Sequence, residues 1–147
     1  MAGYSTNSGG KWNEVPLPFT KCVTRGLPYE RGSDPWVSIG PDGTAYTISI
    51  SFNESNNDNA VSAANSTDGG KSWNNVQTLI ADIGTYQFFC DKESITTDPV
   101  KAGTAYAVWD RLVSPTDNPR VTTQAFANTG PTLFSKTIDG GKTWSKY

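Results

Sequence analysis

Bulky apolar and small side chains alternate through residues 45–52. Tyr46, Ile48, Ile50 and Phe52 are separated by Thr47, Ser49 and Ser51, with Ala45 ahead of them. A period of two predicts a β-strand. The tetrapeptide Gly-Thr-Ala-Tyr that opens this run at 43–46 recurs at 103–106, 60 residues on. After it, Tyr106 and Val108 alternate with Ala105, Ala107 and Trp109, so both faces are apolar, as in a strand held between neighbouring sheets. Turn signals such as Pro41-Asp42-Gly43 bound these runs. The pattern predicts strands near 34–39, 44–52, 59–66 and 71–80. A second set follows near 91–97, 104–110 and 132–137, with a further strand beginning at 142–147. No stretch has a helical period, and no Pro/Gly-rich linker divides the chain.

A second recurrence lies in the turns. Ser66-Thr67-Asp68-Gly69-Gly70-Lys71-Ser72-Trp73 and Thr137-Ile138-Asp139-Gly140-Gly141-Lys142-Thr143-Trp144 share the pattern Ser/Thr-x-Asp-x-Gly-x-Ser/Thr-Trp. A worn copy at residues 5–12 has Asn7 for the aspartate and ends on Trp12. The three tryptophans lie 61 and 71 residues apart, a repeat-architecture spacing. The chemistry of the phrase is that of a turn. Asp68 and Asp139 can accept hydrogen bonds from amides just ahead, and Gly70 and Gly141 can take a positive φ. Ser66, Ser72, Thr137 and Thr143 add hydroxyls, and Trp73 and Trp144 offer a large apolar face to the next strand. An aspartate that recurs in every repeat reads as structural, because catalysis needs it once.

This phrase is the Asp-box, and the chain resembles the Asp-box (bacterial neuraminidase repeat) β-propellers typified by sialidases. The fold implied is all-β: propeller blades of four antiparallel strands with Asp-box turns. Residues 1–19 would end one blade, 34–80 form a second and 91–147 a third. That makes an incomplete ring of about two to two and a half blades, where propellers have ~4–8. The missing blades would come from the same polypeptide, or from oligomer partners whose contacts close a ring.

Composition excludes several classes. The 147 residues have a net charge of −2 and scattered lysines, without the basic patch of a nucleic-acid surface. No apolar run is long enough to span a membrane. Histidine is absent and there are two cysteines, which excludes a Ser-His-Asp triad, His-ligated metals and a cysteine zinc site. No cofactor or metal is expected. An extracellular or cell-envelope location is expected, with any export signal removed or upstream of these residues. Cys22 and Cys90 both fall in loops entering blades. They form either a disulfide, if their Cα atoms approach within about 7 Å, or two separate thiols.

Strand alternation puts the Asp-boxes and Pro41-Asp42-Gly43 on one face, with loops 20–33, 53–58, 81–90 and 111–131 on the other. In sialidases the site lies on that second face, around the central channel. The resemblance implies an arginine cluster for a substrate carboxylate, a Tyr nucleophile assisted by a Glu, and an Asp acid/base. The family's Arg-Ile-Pro signature does not occur here, and the arginines are Arg25, Arg31, Arg111 and Arg120. Tyr29 and Glu30 are neighbours that would point apart. The rim candidates are therefore Asp34, Asp91, Glu93, Asp110 and Arg111, with Lys92, Asp117 and Arg120 nearby. Asp34 and Asp91 are taken as matching starts of the two innermost strands. The plain alternative is that all of them tie one blade to the next. The functional expectation is a segment of a sialidase-like propeller engaged in glycan hydrolysis or glycan recognition, with catalysis left open. The alternative is a non-catalytic propeller serving as a protein-binding or assembly scaffold.

Overall fold

The computed structural model describes residues 1–119 and 129–147. Nine strands are found among them: β1 (Ala2–Tyr4), β2 (Asn13–Val15), β3 (Arg31–Ile39), β4 (Ala45–Phe52), β5 (Asn59–Ser66), β6 (Asn74–Asp82), β7 (Phe88–Thr97), β8 (Ala105–Val113) and β9 (Thr132–Thr137). They form three antiparallel sheets, ordered β1-β2, β3-β4-β5-β6 and β7-β8-β9. The first strands converge, with β7 packed along β3 and progressively less against β4 and β5. This is the fan of a propeller seen in part: all-β, about two to two and a half antiparallel blades, of which the middle one has its four strands and the third has three among the described residues. The ring is incomplete.

The innermost strands are longer than the sequence pattern indicates. Each begins three residues earlier, at Arg31 and Phe88, and each contains a bulge. In β3, Ser33 pairs with Ile50 and Trp36 with Ile48, so Asp34 and Pro35 together oppose Ser49. In β7, Asp91 pairs with Asp110 and Ser94 with Val108, so Lys92 and Glu93 oppose Trp109. The first bulged residue has positive φ in both cases, 51° at Asp34 and 55° at Lys92. Register therefore equates Asp34 with Lys92, and Asp91 with Ser33. The matching of Asp34 with Asp91 is off by one, because a bulge adds a residue that composition cannot reveal. The fourth strand of the middle blade starts at Asn74 rather than near 71, since the turn holds residues 66–73. Residues 142–147 make no named strand, although the Ser145 amide donates to the Lys136 carbonyl (2.8 Å) where a fourth strand would begin.

Packing between the sheets is directional. Strands β4 and β5 are buried almost throughout. Their large side chains, Tyr46, Ile48 and Val61, meet Cys90, Ile95, Ala105, Ala107 and Trp109 of the third sheet in one apolar cluster. On the opposite face of the same sheet, Ala64 packs with Leu17 and Phe19 from the segment after β2. The Ser51 hydroxyl donates to the Phe19 carbonyl (2.9 Å) on that side. Cys22 is exposed and Cys90 buried, and both are free thiols.

The repeated turns close on themselves and then dock on the preceding sheet. Asp139 Oδ1 accepts the amides of Lys142 (3.1 Å) and Thr143 (3.0 Å), and its Oδ2 accepts the Thr143 hydroxyl (2.6 Å). Asp68 is held by Lys71 and Ser72 in the same way. The Ser66 and Thr137 hydroxyls donate to these aspartates and accept from the amides of Gly70 and Gly141. In the worn copy Asn7 still accepts the Lys11 amide (2.8 Å), but Lys11 stands where Ser72 supplies a hydroxyl. Gly141 has φ 82°, and a Cβ there would come 3.5 Å from the Tyr46 ring and 3.7 Å from Asn65, both of the previous blade. Asn65 Nδ2 donates to the Gly140 carbonyl at 2.7 Å. Each turn is thus also a stacking contact.

These bonds hold the Asp68 carboxyl far below the usual carboxylate range, and the Asp139 carboxyl at about 2. A depressed folded-state pKa contributes stability that is present above the unfolded value and is lost as pH falls through the folded one. Asp139→Ala is expected to lower the melting temperature at pH 7 and to flatten its decline below about pH 4. Thermal unfolding followed by circular dichroism checks this, and an unchanged melting temperature at pH 7 would contradict it.

Candidate functional site

The end of the fan away from the repeated turns carries the rim residues, which divide into two groups. The first is an ionic knot at the periphery. Arg111, in β8, donates through Nε to Asp82 Oδ2 (3.0 Å) and through a second nitrogen to Oδ1. Asp82 ends the fourth strand of the preceding blade and is buried. The Arg111 guanidinium also stacks on Phe88, 3.8 Å from the ring centroid. The Cys90 thiol lies beside Asp82, and burial plus that carboxylate push it up to about 12, which makes it inert. Tyr29 is buried next to this group, and burial with the charges of Asp58 and Asp82 raises its hydroxyl pKa. That is the opposite of an activated nucleophile. Its neighbour Glu30 is turned to the 53–58 loop, accepting the amides of Glu54 (2.8 Å) and Ser55 (3.3 Å).

The second group lies toward the axis. Asp34, Pro35, Trp36, Lys92, Glu93 and Ser94 line an open cleft of about 450 Å³ between β3 and β7. The Trp36 side chain is 55% exposed there. Asp34 accepts the Ser33 hydroxyl (2.6 Å), and Asp91 accepts the Lys92 amide (2.9 Å) and pairs with its ammonium (3.3 Å). Glu93 is buried, its Oε1 accepting the Ile50 amide of the neighbouring blade at 2.9 Å. Its Oε2 has no hydrogen-bond partner among the described residues. Burial, assisted by the charges of Asp34 and Asp91, pushes the Glu93 carboxyl up to about 7. Asp110 lies off this cleft and accepts the Thr132 hydroxyl (2.8 Å) within its own sheet.

The rim candidates therefore do not converge on one cavity. Asp34 and Glu93 share the axial cleft, Asp91 borders it, and Arg111 is committed to Asp82. Arg31 pairs loosely with Glu54 (3.6 Å), and none of the described arginines lines the cleft. Asp117 accepts from Thr85 Oγ1 (2.9 Å) and from the Tyr86 amide, tying two loops together. Arg120 and the middle of the 111–131 loop lie outside the described residues. Sequence reasoning missed Trp36 and Asp82. The exposed indole was legible only as part of an apolar strand, and Asp82 looked like a strand end with nothing to mark its partner. Among the described residues, no cluster of three or more metal-ligating side chains occurs, and no helix is long and apolar enough to cross a membrane.

No protein-family model matches the chain, and no curated protein matches it. Among solved structures it is similar to one titled Hadza microbial sialidase Hz136, with a TM-score of 0.61 at 14% identity. The match covers 80% of this chain and 25% of that one, so the chain spans about a quarter of that structure's length. The fold class is thereby a sialidase-like β-propeller.

Two substitutions separate the groups. Arg111→Ala leaves Asp82 buried without its cation and is expected to cost about 3 kcal/mol, with Arg111→Ala/Asp82→Leu recovering much of it. Urea denaturation would show this; a neutral Arg111→Ala would contradict the pairing. Glu93 titrates the other way from the turn aspartates. Its folded-state pKa lies above its unfolded value, so its contribution is full below about pH 4.5 and is lost as pH rises through about 7. Glu93→Gln is expected to remove this dependence and to gain on the order of 3 kcal/mol relative to wild type at pH 8. Equal stability-pH profiles for the two proteins would contradict it.

Proposed function

We propose that this chain is a segment of an Asp-box propeller of the sialidase-like group, recognising glycans on the face opposite its repeated turns. The observation that carries this reading is the axial cleft, where an exposed indole, a carboxylate, an ammonium and a buried carboxyl line one open concavity. Sugar sites combine an apolar ring face with a few placed polar groups in this manner. The likeness to a sialidase supports the same reading at the level of fold. The structural role of Asp68 and Asp139, and blade limits near 1–19, 34–80 and 91–147, belong to the proposal. So do a location outside the cell or in its envelope, and remaining blades supplied by the same polypeptide or by oligomer partners.

Recognition is favoured over hydrolysis for these residues. Retaining cleavage of a sialoside needs a nucleophile, an acid/base and arginines converging on one cavity. Here Arg111 is engaged by Asp82, and the Tyr29 hydroxyl is held protonated. The second reading, a non-catalytic protein-binding or assembly scaffold, draws on the exposed apolar flanks, Val37 and Ile39 on one side and Phe134 and Ile138 on the other. A glycan array probed with the labelled chain tests both, alongside a fluorogenic sialoside and light scattering. The expected outcome is glycan retention, no turnover and self-association. A blank array would overturn glycan recognition, and turnover would overturn the non-hydrolytic role.

A further inference from the structure

The cleft between β3 and β7 carries chemistry that narrows its ligand. Its floor includes Glu93, which is 5% exposed and leaves Oε2 without a hydrogen-bond partner among the described residues. An unmatched buried oxygen of this kind is costly unless a ligand or the carboxyl proton satisfies it. The same cleft is lined by the exposed Trp36, by an acceptor, Asp34, and by a donor, Lys92. A flat aromatic face with a donor and an acceptor in the same cleft suits a ring that is apolar on one face and hydroxylated at its edge. An anion would meet Asp34 in the cleft and Asp91 beside it, with Lys92 already paired to Asp91 (3.3 Å).

We propose that this cleft is a binding subsite for an uncharged pyranose, stacked on Trp36 with its hydroxyls on Asp34, Lys92 and Glu93, and that it discriminates against a sialic acid residue. The inference rests on the glycan-recognition reading and sharpens it, since a sialidase-like fold would lead one to expect an acidic sugar. The Glu93 carboxyl, pushed up to about 7 by burial, is protonated in about half of the molecules at neutral pH. A protonated carboxyl both donates and accepts, matching a hydroxyl without adding charge. The bulge in β7 sets this up, since it turns Glu93 under the cleft while its Oε1 is fixed by the Ile50 amide.

The test is titration of the whole chain with methyl β-galactoside, with N-acetylglucosamine and with N-acetylneuraminic acid. Tryptophan indole resonances are followed by NMR, with Trp36 assigned through Trp36→Phe. An uncharged sugar is expected to shift the Trp36 indole with a Kd on the order of 1 mM, and N-acetylneuraminic acid to bind at least about tenfold more weakly. Trp36→Ala, read by saturation transfer to the sugar's own protons, is expected to lose binding; residue 36 is largely exposed, so the fold tolerates the change. Asp34→Asn is expected to weaken binding several-fold in the wild-type background. Equal or tighter binding of N-acetylneuraminic acid at Trp36 overturns the discrimination while leaving glycan recognition in place. Glycans retained on the array with no movement of the Trp36 indole overturn the subsite alone. Binding undiminished in Trp36→Ala overturns it as well.

Discussion

Everything in this molecule depends on one sheet burying the face of the next. A four-stranded blade has two apolar faces and no interior of its own, so its core exists only between neighbours. The two clusters described above are both of this kind, one between the second and third sheets and one between the first and second. The contacts have a consistent direction. The middle sheet turns Tyr46, Ile48 and Val61 toward the third sheet, which answers with Ala105 and Ala107 and the single large Trp109. Its other face presents Ala64 and the small side chains of Thr47, Ser49 and Ser51. Large against small lets two twisted sheets approach closely while filling the space between them.

The repeated turn belongs to the same mechanism. Its internal hydrogen bonds make a rigid knuckle, and the glycine at its apex removes the side chain that would hold the previous blade away. Tyr46 and Asn65 lie against Gly141, and Tyr4 lies 3.4 Å from the Cβ position of Gly70. The residue just before each turn, Tyr4 or Asn65, therefore meets the turn of the following blade. Conservation of the phrase within this chain reflects packing at one end of the fan. Freedom to vary is left to the other end, where Glu93 joins two blades through the Ile50 amide and Trp36 stays open.

Much of this was legible in the chain, and the misses have common physical causes. The second strands were plain, because the alternation in 45–52 survives burial on both sides and that in 105–109 repeats it with one face open. The turns were plain because Asp, Gly and hydroxyl residues at fixed spacing have few other uses. The residue pattern puts the first strands three residues late and aligns Asp34 with Asp91. A bulge is a backbone event, and neither Asp34 nor Lys92 announces a positive φ. Arg111 read as an available cation because its partner, Asp82, lies 29 residues earlier on another blade. Tertiary pairing across sheets leaves no local trace, so the sequence could nominate rim residues without saying which were free.

The directional packing also bears on how the flanks are completed. On the trailing side, Tyr106, Val108, Phe134 and Ile138 present the large-residue face that the middle sheet shows to its successor. Tyr106 is already braced by a stack on Phe134 at 6.2 Å. On the leading side, β1 and β2 cover only the outer half of the small-residue face. The inner half, with Val37, Ile39 and the exposed Trp12, lines a groove of about 420 Å³. The two flanks are unlike and complementary, so contacts made through them are head-to-tail. Such contacts close into a ring when the rotation between blades divides the circle and otherwise extend.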